Sequence, residues 1–409
     1  MTIAAVRPSP LALVAPQPSV LKLAIFALAL GGFGIGTNEF VAMGLLPEIA
    51  SSLTISEPAA GHVISAYALG VVVGAPLIAA LTARVPRKTI LLALMAVFTL
   101  GNVATVFAPT YESLIVARFV AGLPHGAFFG IAALVAARML GPGKRAKAVA
   151  QVMTGLTVAT VVGVPIASWL GQALGWRSAF GLVVVIGLIT LTALALWLPD
   201  LAATHSSSPL TELGALRRPQ VWLALAVGMV GFGGMFAVYT YVATTLTGVS
   251  GLSRALVPLA LMMFGAGMVV GNIVGGRMAD RSVIRSLYLT IGALAVMLAV
   301  FVVASHNPVT ALVLLFGIGA AGAAISPALQ TRLMDVAADA QTLAAALNHS
   351  ALNIANASGA WVGGLVIAAG LGYTAPAAAG AVLAVVGLVV LTVAVLLQRL
   401  STTTEGAIA

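Results

Sequence analysis

Cysteine is absent from the 409-residue chain, which excludes disulfides, thiolate metal sites and cysteine nucleophiles. Charge is scarce: Lys, Arg, Asp and Glu make up 7% of the residues, against about 25% in an ordinary soluble domain. Ten acidic residues and five scattered histidines form no carboxylate cluster and no ligand spacing, so neither a metal nor a cofactor is expected. No glycine-rich phosphate loop with its lysine occurs, which argues against nucleotide-driven work. No nucleophile stands beside a base, so an enzyme is not expected either. The first 20 residues hold four prolines and no continuous apolar stretch, and they read as a tail, not as a cleaved secretory signal.

Hydrocarbon makes up most of the rest. Hydrophobic residues are 61% of the chain, and mean hydropathy is +1.13. Apolar runs of roughly 20 residues without strand alternation read as membrane-spanning helices. Twelve such segments cover about residues 20–46, 59–82, 89–107, 112–140, 149–172, 178–197, 220–245, 255–279, 286–305, 308–333, 343–369 and 375–398. The expected fold is an all-α membrane protein whose twelve transmembrane helices form two pseudo-symmetric six-helix bundles. The expected divisions are a tail at 1–19, a first bundle at 20–197, a linker at 198–219, a second bundle at 220–398 and a tail at 399–409. The Ser/Pro-rich run after the sixth segment marks the linker.

The net charge of +9 has a topological reading. Arg84, Arg87, Lys88, Arg138, Lys144, Arg145, Lys147, Arg217, Arg218, Arg277, Arg281, Arg285, Arg332 and Arg399 all fall at even-numbered turns or tails. The odd-numbered turns hold Arg177 and Arg254 beside Glu48, Glu57 and Glu112. The positive-inside rule then puts both termini and the even turns in the cytoplasm of a multi-pass protein of the inner or plasma membrane. It also removes the reason to invoke nucleic acid as a partner.

Small residues recur at helical spacing in four segments: Ala66, Gly70 and Gly74 in the second, Gly155, Gly163 and Gly171 in the fifth, Gly267, Gly271 and Gly275 in the eighth, Gly359 and Gly363 in the eleventh. Such stripes admit close helix packing. Their repetition at every third helix is the pattern expected where two halves slide on each other.

Against this background the buried polar residues stand out. Glu39, with Asn38 before it, lies about 12 Å inside the first segment by helical rise. Arg118 lies at a similar depth in the fourth, and each charge alone would cost about 2.5 kcal/mol or more, so the two are expected to face each other or a wet cavity. Gly122 and His125 follow Arg118 on one face. Phe232, Phe236 and Tyr239 share a face of the seventh segment, and His349, Asn353 and Asn356 share one of the eleventh. An aromatic, amide-bearing, nearly uncharged cavity suits a moderately apolar, mainly neutral molecule.

The sequence ARFVAGLPHG, with Arg118 and Gly122, resembles the fourth-helix motif of the major facilitator superfamily, specifically its twelve-helix drug:proton antiporter branch. Gly155 to Arg177, with Gly163 and Pro165, is similar to that branch's fifth-helix signature. GRMADR, with Gly276, Asp280 and Arg281, resembles the family's loop motif. The first-half copy around Arg84, Arg87 and Lys88 departs from it, with Ala83 and Pro86 where Asp and Gly are usual. TNEF, GLLPEIA, HGAFFG and YTYVATTLTGVSG look like the subfamily that contains arabinose-type efflux proteins and chloramphenicol exporters.

The resemblance implies proton-coupled export with Arg118 taking part in the coupling, and Glu39 is the carboxylate placed to carry the proton. The substrate class it points to is an antibiotic such as chloramphenicol, with a sugar or nucleoside as the alternative. Asn38, His125, Phe232, Phe236, Tyr239, His349, Asn353 and Asn356 are the candidate substrate-binding residues. The expected partners are the small-molecule substrate, protons and the lipid bilayer, and the chain is expected to act as a monomer.

Overall fold

Backbone polar groups find no water inside a bilayer, so a chain this apolar closes its hydrogen bonds within helices. A computed structural model describes residues 18–82, 85–141, 145–200, 217–337 and 341–408. The expected tail up to residue 17, most of the expected linker (201–216), and Ala83, Arg84 and Lys144 of the charged turns lie outside the described residues.

Among the described residues, twelve helices are long and apolar enough to cross a membrane: Ser19–Gly44, Glu57–Ile78, Arg87–Phe107, Tyr111–Leu140, Ala150–Leu174, Trp176–Trp197, Pro219–Thr240, Arg254–Arg281, Val283–Ala304, Pro308–Ala337, Leu347–Ala368 and Ala375–Leu400. The terminal helix runs on to Ile408. Large apolar side chains such as Leu100, Val116, Trp169, Val296 and Leu397 stand exposed on these spans, a surface suited to lipid and not to water.

Several spans are interrupted where the sequence weakens the helix. The expected first segment ends earlier, at Gly44, and a separate short helix, Leu46–Leu53, follows. The fifth span widens into a π turn at Ala159–Gly163, just ahead of Pro165, whose ring and missing N–H disfavour a regular α turn there. The seventh is cut at Phe232 and Tyr241 into Pro219–Gly231, Gly233–Thr240 and Val242–Gly248, the first break lying among three glycines. The fourth passes through Pro124 unbroken.

The stripe glycines seat inside each half, while the spans that carry them also pack across the seam, second on eleventh and fifth on eighth. A methyl at Gly70 or Gly74 of the second span would overlap the Phe119 or Leu123 carbonyl of the fourth. One at Gly155 would overlap Ala29 of the first, and one at Gly163 the Thr37 hydroxyl. In the other half Gly267, Gly271 and Gly275 meet Phe316, Ala320 and Ala324 of the tenth, and Gly359 meets Gly233 of the seventh. The pairings second–fourth and fifth–first thus recur as eighth–tenth and eleventh–seventh, which is the pseudo-symmetry of the fold. Small residues lie where backbones nearly touch, and these contacts are closest within a bundle.

The halves meet most fully at the odd-turn end. One apolar core cluster unites Phe40–Ile49, Val164, Ala167 and Phe180 of the first half with the second half's core from Val221 to Leu391. A separate cluster, from Ala24 through Phe98 and Val135 to Leu198, belongs to the even-turn side of the first half alone. Among the described residues, the apolar core is therefore continuous across the seam at the odd-turn end and divided at the even-turn end.

Candidate functional site

The polar residues of the spans converge at mid-depth. Asn38 and Arg118 are 0% exposed, Asn356 1% and Glu39 7%, so each needs a protein partner. Arg118 Nη1 donates to Asn38 Oδ1 at 2.6 Å, and Nη2 reaches the Asn38 carbonyl at 3.4 Å. Its guanidinium carbon lies 4.4 Å from the centre of the Tyr67 ring and 5.2 Å from that of Phe180. An acceptor amide and two π faces together stabilise this cation, since such faces attract a desolvated guanidinium by about 2 kcal/mol.

Of the two arrangements expected for Glu39 and Arg118, facing each other or facing a wet cavity, an ion pair is not the one found. The only ion pairs within 4.0 Å among the described residues are Lys88–Asp200 at 3.8 Å and Arg254–Glu48 at 3.7 Å. The two charges share a depth, but consecutive residues on a helix point about 100° apart, and it is Asn38 that faces Arg118. Glu39 turns toward the other half, where Asn356 Nδ2 lies 3.5 Å from its Oε1.

Gly122 makes the arginine's setting possible. A side chain there would overlap the Tyr67 carbonyl, so its absence lets the second span lie on the fourth and carries Tyr67 over Arg118. Tyr67 also meets His125 Nδ1 at 3.1 Å. The His125 ring packs edge-on against Phe129, which stacks on His349 across the seam with centroids 6.1 Å apart. Gly155 and Gly163 act likewise for the first span, bringing the turn that carries Asn38 and Glu39 against the fifth.

The expected aromatic face is present and larger than its sequence indicated. Phe40 stacks on Phe236 at 6.4 Å and meets Tyr239 edge-on at 5.9 Å, while Phe232 lies 5.4 Å from Phe236. Tyr239 stacks on Phe264 at 3.9 Å. Phe40, Phe264, Tyr67, Phe129 and Phe180 escaped the sequence reading, because an aromatic residue in a membrane helix looks the same toward lipid or cavity. The adjacency of Phe40 to Glu39 was the one usable signal.

Asn353 donates only to the His349 carbonyl of its own helix, at 3.0 Å. Asn353 Oδ1, Asn356 Oδ1 and Arg118 Nε are buried without hydrogen-bond partners. The hydroxyls of Thr154 and Thr157 donate to the carbonyls of Ala150 and Met153 in their own helix.

A second polar cluster closes the odd-turn end. Thr244 Oγ1 donates to Glu57 Oε2 at 2.5 Å, and Arg254 pairs with Glu48, both bonds crossing the seam. At the even-turn end Arg87 is buried and Lys88 pairs with Asp200, while Asp280 and Arg281 are exposed and Asp280 makes no ion pair within 4.0 Å among the described residues. A side chain at Gly276 would meet nothing within 4 Å.

Comparison with known proteins agrees with this architecture. A family model described as Major Facilitator Superfamily matches residues 28–338 and again 250–407. The inner membrane transport protein YdhP of Escherichia coli (strain K12) is 43% identical over 360 residues, or 88% of this chain and 92% of that protein. A chloramphenicol resistance protein of Streptomyces lividans is 36% identical over 358 residues, or 87% and 90% of the two chains. The crystal structure of a bacterial homolog of the human lysosomal transporter Spinster, inward-facing and unoccupied, aligns with a TM-score of 0.72 over 92% of this chain and 96% of that one, at 18% identity, a likeness of fold alone. Twelve spans in two matched halves and a family model covering most of the length lead to one conclusion: the chain belongs to the Major Facilitator Superfamily and is a membrane transporter, not an enzyme.

Proposed function

We propose that this transporter is a proton-coupled antiporter that exports a small, mainly neutral, moderately apolar compound, with an antibiotic of the chloramphenicol kind as the first candidate. The observation that carries the reading is the setting of Glu39: a carboxylate 7% exposed at mid-depth, with no cation within 4.0 Å, touching the opposite half. Intramembrane carboxylates held this way are characteristic of proton pathways. The adjoining aromatic set of Phe40, Phe232, Phe236 and Tyr239 supplies apolar surface for the load. The description of the Streptomyces lividans relative as a chloramphenicol resistance protein favours the same substrate class.

In the proposed cycle, substrate enters from the even-turn side, cytoplasmic by the positive-inside rule, to a deprotonated Glu39. The halves rock, protonation from the opposite side displaces the load, and the proton travels inward on the return. Arg118 fixes the electrostatics of the turn bearing Glu39 through Asn38. His125, His349, Asn353 and Asn356 offer uncharged contacts to the guest. One elementary charge falling through about 100 mV is worth about 2.3 kcal/mol, enough for a gradient of roughly fifty-fold in a neutral substrate. The motif residues Gly276, Asp280, Arg281, Arg87 and Lys88 serve the rocking at the even-turn end. The protein acts in this scheme as a monomer of the inner or plasma membrane.

The test is Glu39→Gln in sealed proteoliposomes of the purified chain. Binding of chloramphenicol should persist while accumulation driven by a proton gradient disappears; undiminished uphill export by this variant defeats the proposal. Export of a sugar or nucleoside is the second reading, favoured by the free amide oxygens of Asn353 and Asn356, which suit hydroxyl donors. Resistance profiling of an expressing strain beside a sugar-accumulation assay separates the two.

A further inference from the structure

Glu39 and Asn356 belong to different halves, 317 residues apart, and their contact is the meeting point of the first and eleventh spans at the centre of the protein. Asn356 is 1% exposed, and only one of its two polar atoms has a partner: Nδ2 faces Glu39 Oε1 at 3.5 Å, whereas Oδ1 has none. A carboxylate can only accept, so in its ionised form it serves the amide's donor and leaves the amide oxygen unsatisfied. A carboxyl group that has gained a proton both donates and accepts. Its O–H can then reach Asn356 Oδ1 while its carbonyl oxygen takes the Nδ2–H, giving two bonds across the seam where there was one. Nothing but the proton moves, and the amide is unchanged.

We propose that Asn356 is the positioning residue through which the second half senses the proton on Glu39, and that it makes return of the unloaded transporter depend on that proton. This inference rests on the antiport reading above. The second hydrogen bond exists only with the odd-turn end sealed, the state in which the first and eleventh spans touch. An unloaded, proton-free transporter would have to close over an unsatisfied buried oxygen, which disfavours the futile swing that would dissipate the gradient. A loaded transporter moves the other way with Glu39 ionised. The charged and titratable groups in electrostatic reach of Glu39 from the neighbouring spans are Arg118, Tyr67 and Tyr239, and none of them offers a second contact across the seam to the carboxylate.

The chain's lack of cysteine allows a direct test. Leu261, 0% exposed and packed where Gly44 of the other half comes closest, is replaced by cysteine as a reporter of odd-turn opening. Labelling by a soluble maleimide is measured in the purified full chain without substrate across the neutral pH range, and is normalised to an exposed reference cysteine at Ser253. With Asn356 present, normalised labelling should rise with pH by between about threefold and tenfold, the range that one net hydrogen bond supplies. Asn356→Leu should flatten that rise to under about twofold, and Asn356→Ala carries the same expectation should the leucine variant fold poorly. Glu39→Gln, whose amide donates and accepts at every pH, should stay closed and insensitive throughout. A full pH response in both Asn356 variants, with Glu39→Gln insensitive, overturns this inference and leaves antiport standing. A full pH response in Glu39→Gln overturns the antiport reading itself.

Discussion

The Arg118 guanidinium is bound to the Asn38 side chain at 2.6 Å, one residue before the carboxylate that its charge would otherwise be expected to neutralise. The fourth span is thus tied to the first through a neutral amide. Glu39 is left without a cation and with its face toward the second half, an arrangement that fits a group whose charge has to change during a cycle. The hydrogen bonds of Arg118 go to the side chain and carbonyl of Asn38, neither of which changes when Glu39 gains or loses a proton.

Removing the amide should therefore be severe. Asn38→Leu leaves a 0% exposed guanidinium without its short hydrogen bond, a loss expected to destabilise the fold by about 3 kcal/mol. Its thermal midpoint in detergent should fall well below that of the parent protein. Arg118→Leu, which removes the buried charge together with its need for a partner, should retain more stability than Asn38→Leu while losing transport. The reverse ranking in a melting experiment contradicts this account of the pair.

At the odd-turn end the hydroxyl of Thr244 holds Glu57 of the opposite half. Hydrogen bonds to charged groups are worth about 1.5 kcal/mol or more, so Thr244→Val should raise the population open on that side by about tenfold. Maleimide labelling of Leu261→Cys in the Thr244→Val background checks this. The Arg254–Glu48 pair should matter less, because its arginine is exposed and its 3.7 Å separation is long, and ion pairs open to solvent contribute about 0–1 kcal/mol.

Glycines in the stripes and in the loop motif should behave oppositely. Gly155→Ala drives a methyl into the Ala29 carbonyl and should destabilise by about 1–3 kcal/mol. Gly276→Ala meets no atom within 4 Å, and helix propensity then favours alanine by up to about 1 kcal/mol. Paired melting curves should separate the two variants in sign.

Glu48, in the short helix Leu46–Leu53 beyond the end of the first span, gives a pH signature. Burial pushes its carboxyl above the ordinary carboxylate value, against the pull of its own backbone N–H and of Arg254. A raised value means that the folded protein favours the protonated form, so the stability linked to this group is full below the ordinary value and is lost as pH rises through the raised one. Glu48→Gln should accordingly raise the melting temperature at alkaline pH, with the gain vanishing in acid. A gain confined to acid would contradict the assignment.

Much of the architecture was legible in the sequence. Each span is a run of apolar residues long enough for the bilayer, and hydropathy is a local property that needs no knowledge of neighbours. Misreadings began where the question became which neighbour. The stripe from Gly155 to Gly171 announced a close backbone contact, yet periodicity identifies a face of a helix and not the helix that lies on it. The common depth of Glu39 and Arg118 was readable for the same reason that their pairing was not: depth follows from position along a helix, whereas pairing depends on rotation about its axis. Breaks at Phe232 and Tyr241, and the π turn at Ala159–Gly163, depend on how several helices crowd together and left only glycines and Pro165 as hints.

By itself, the order of residues determined a lipid-embedded bundle of twelve helices and the few polar side chains that such a bundle has to accommodate, because burying polarity in hydrocarbon is costly wherever it falls. Tertiary structure decided who answers whom: Asn38 to Arg118, Asn356 to Glu39, Thr244 to Glu57. Those choices rest on the rotation and spacing of helices far apart in the chain, set by where the missing side chains of Gly70, Gly122, Gly155 and Gly271 let backbones touch.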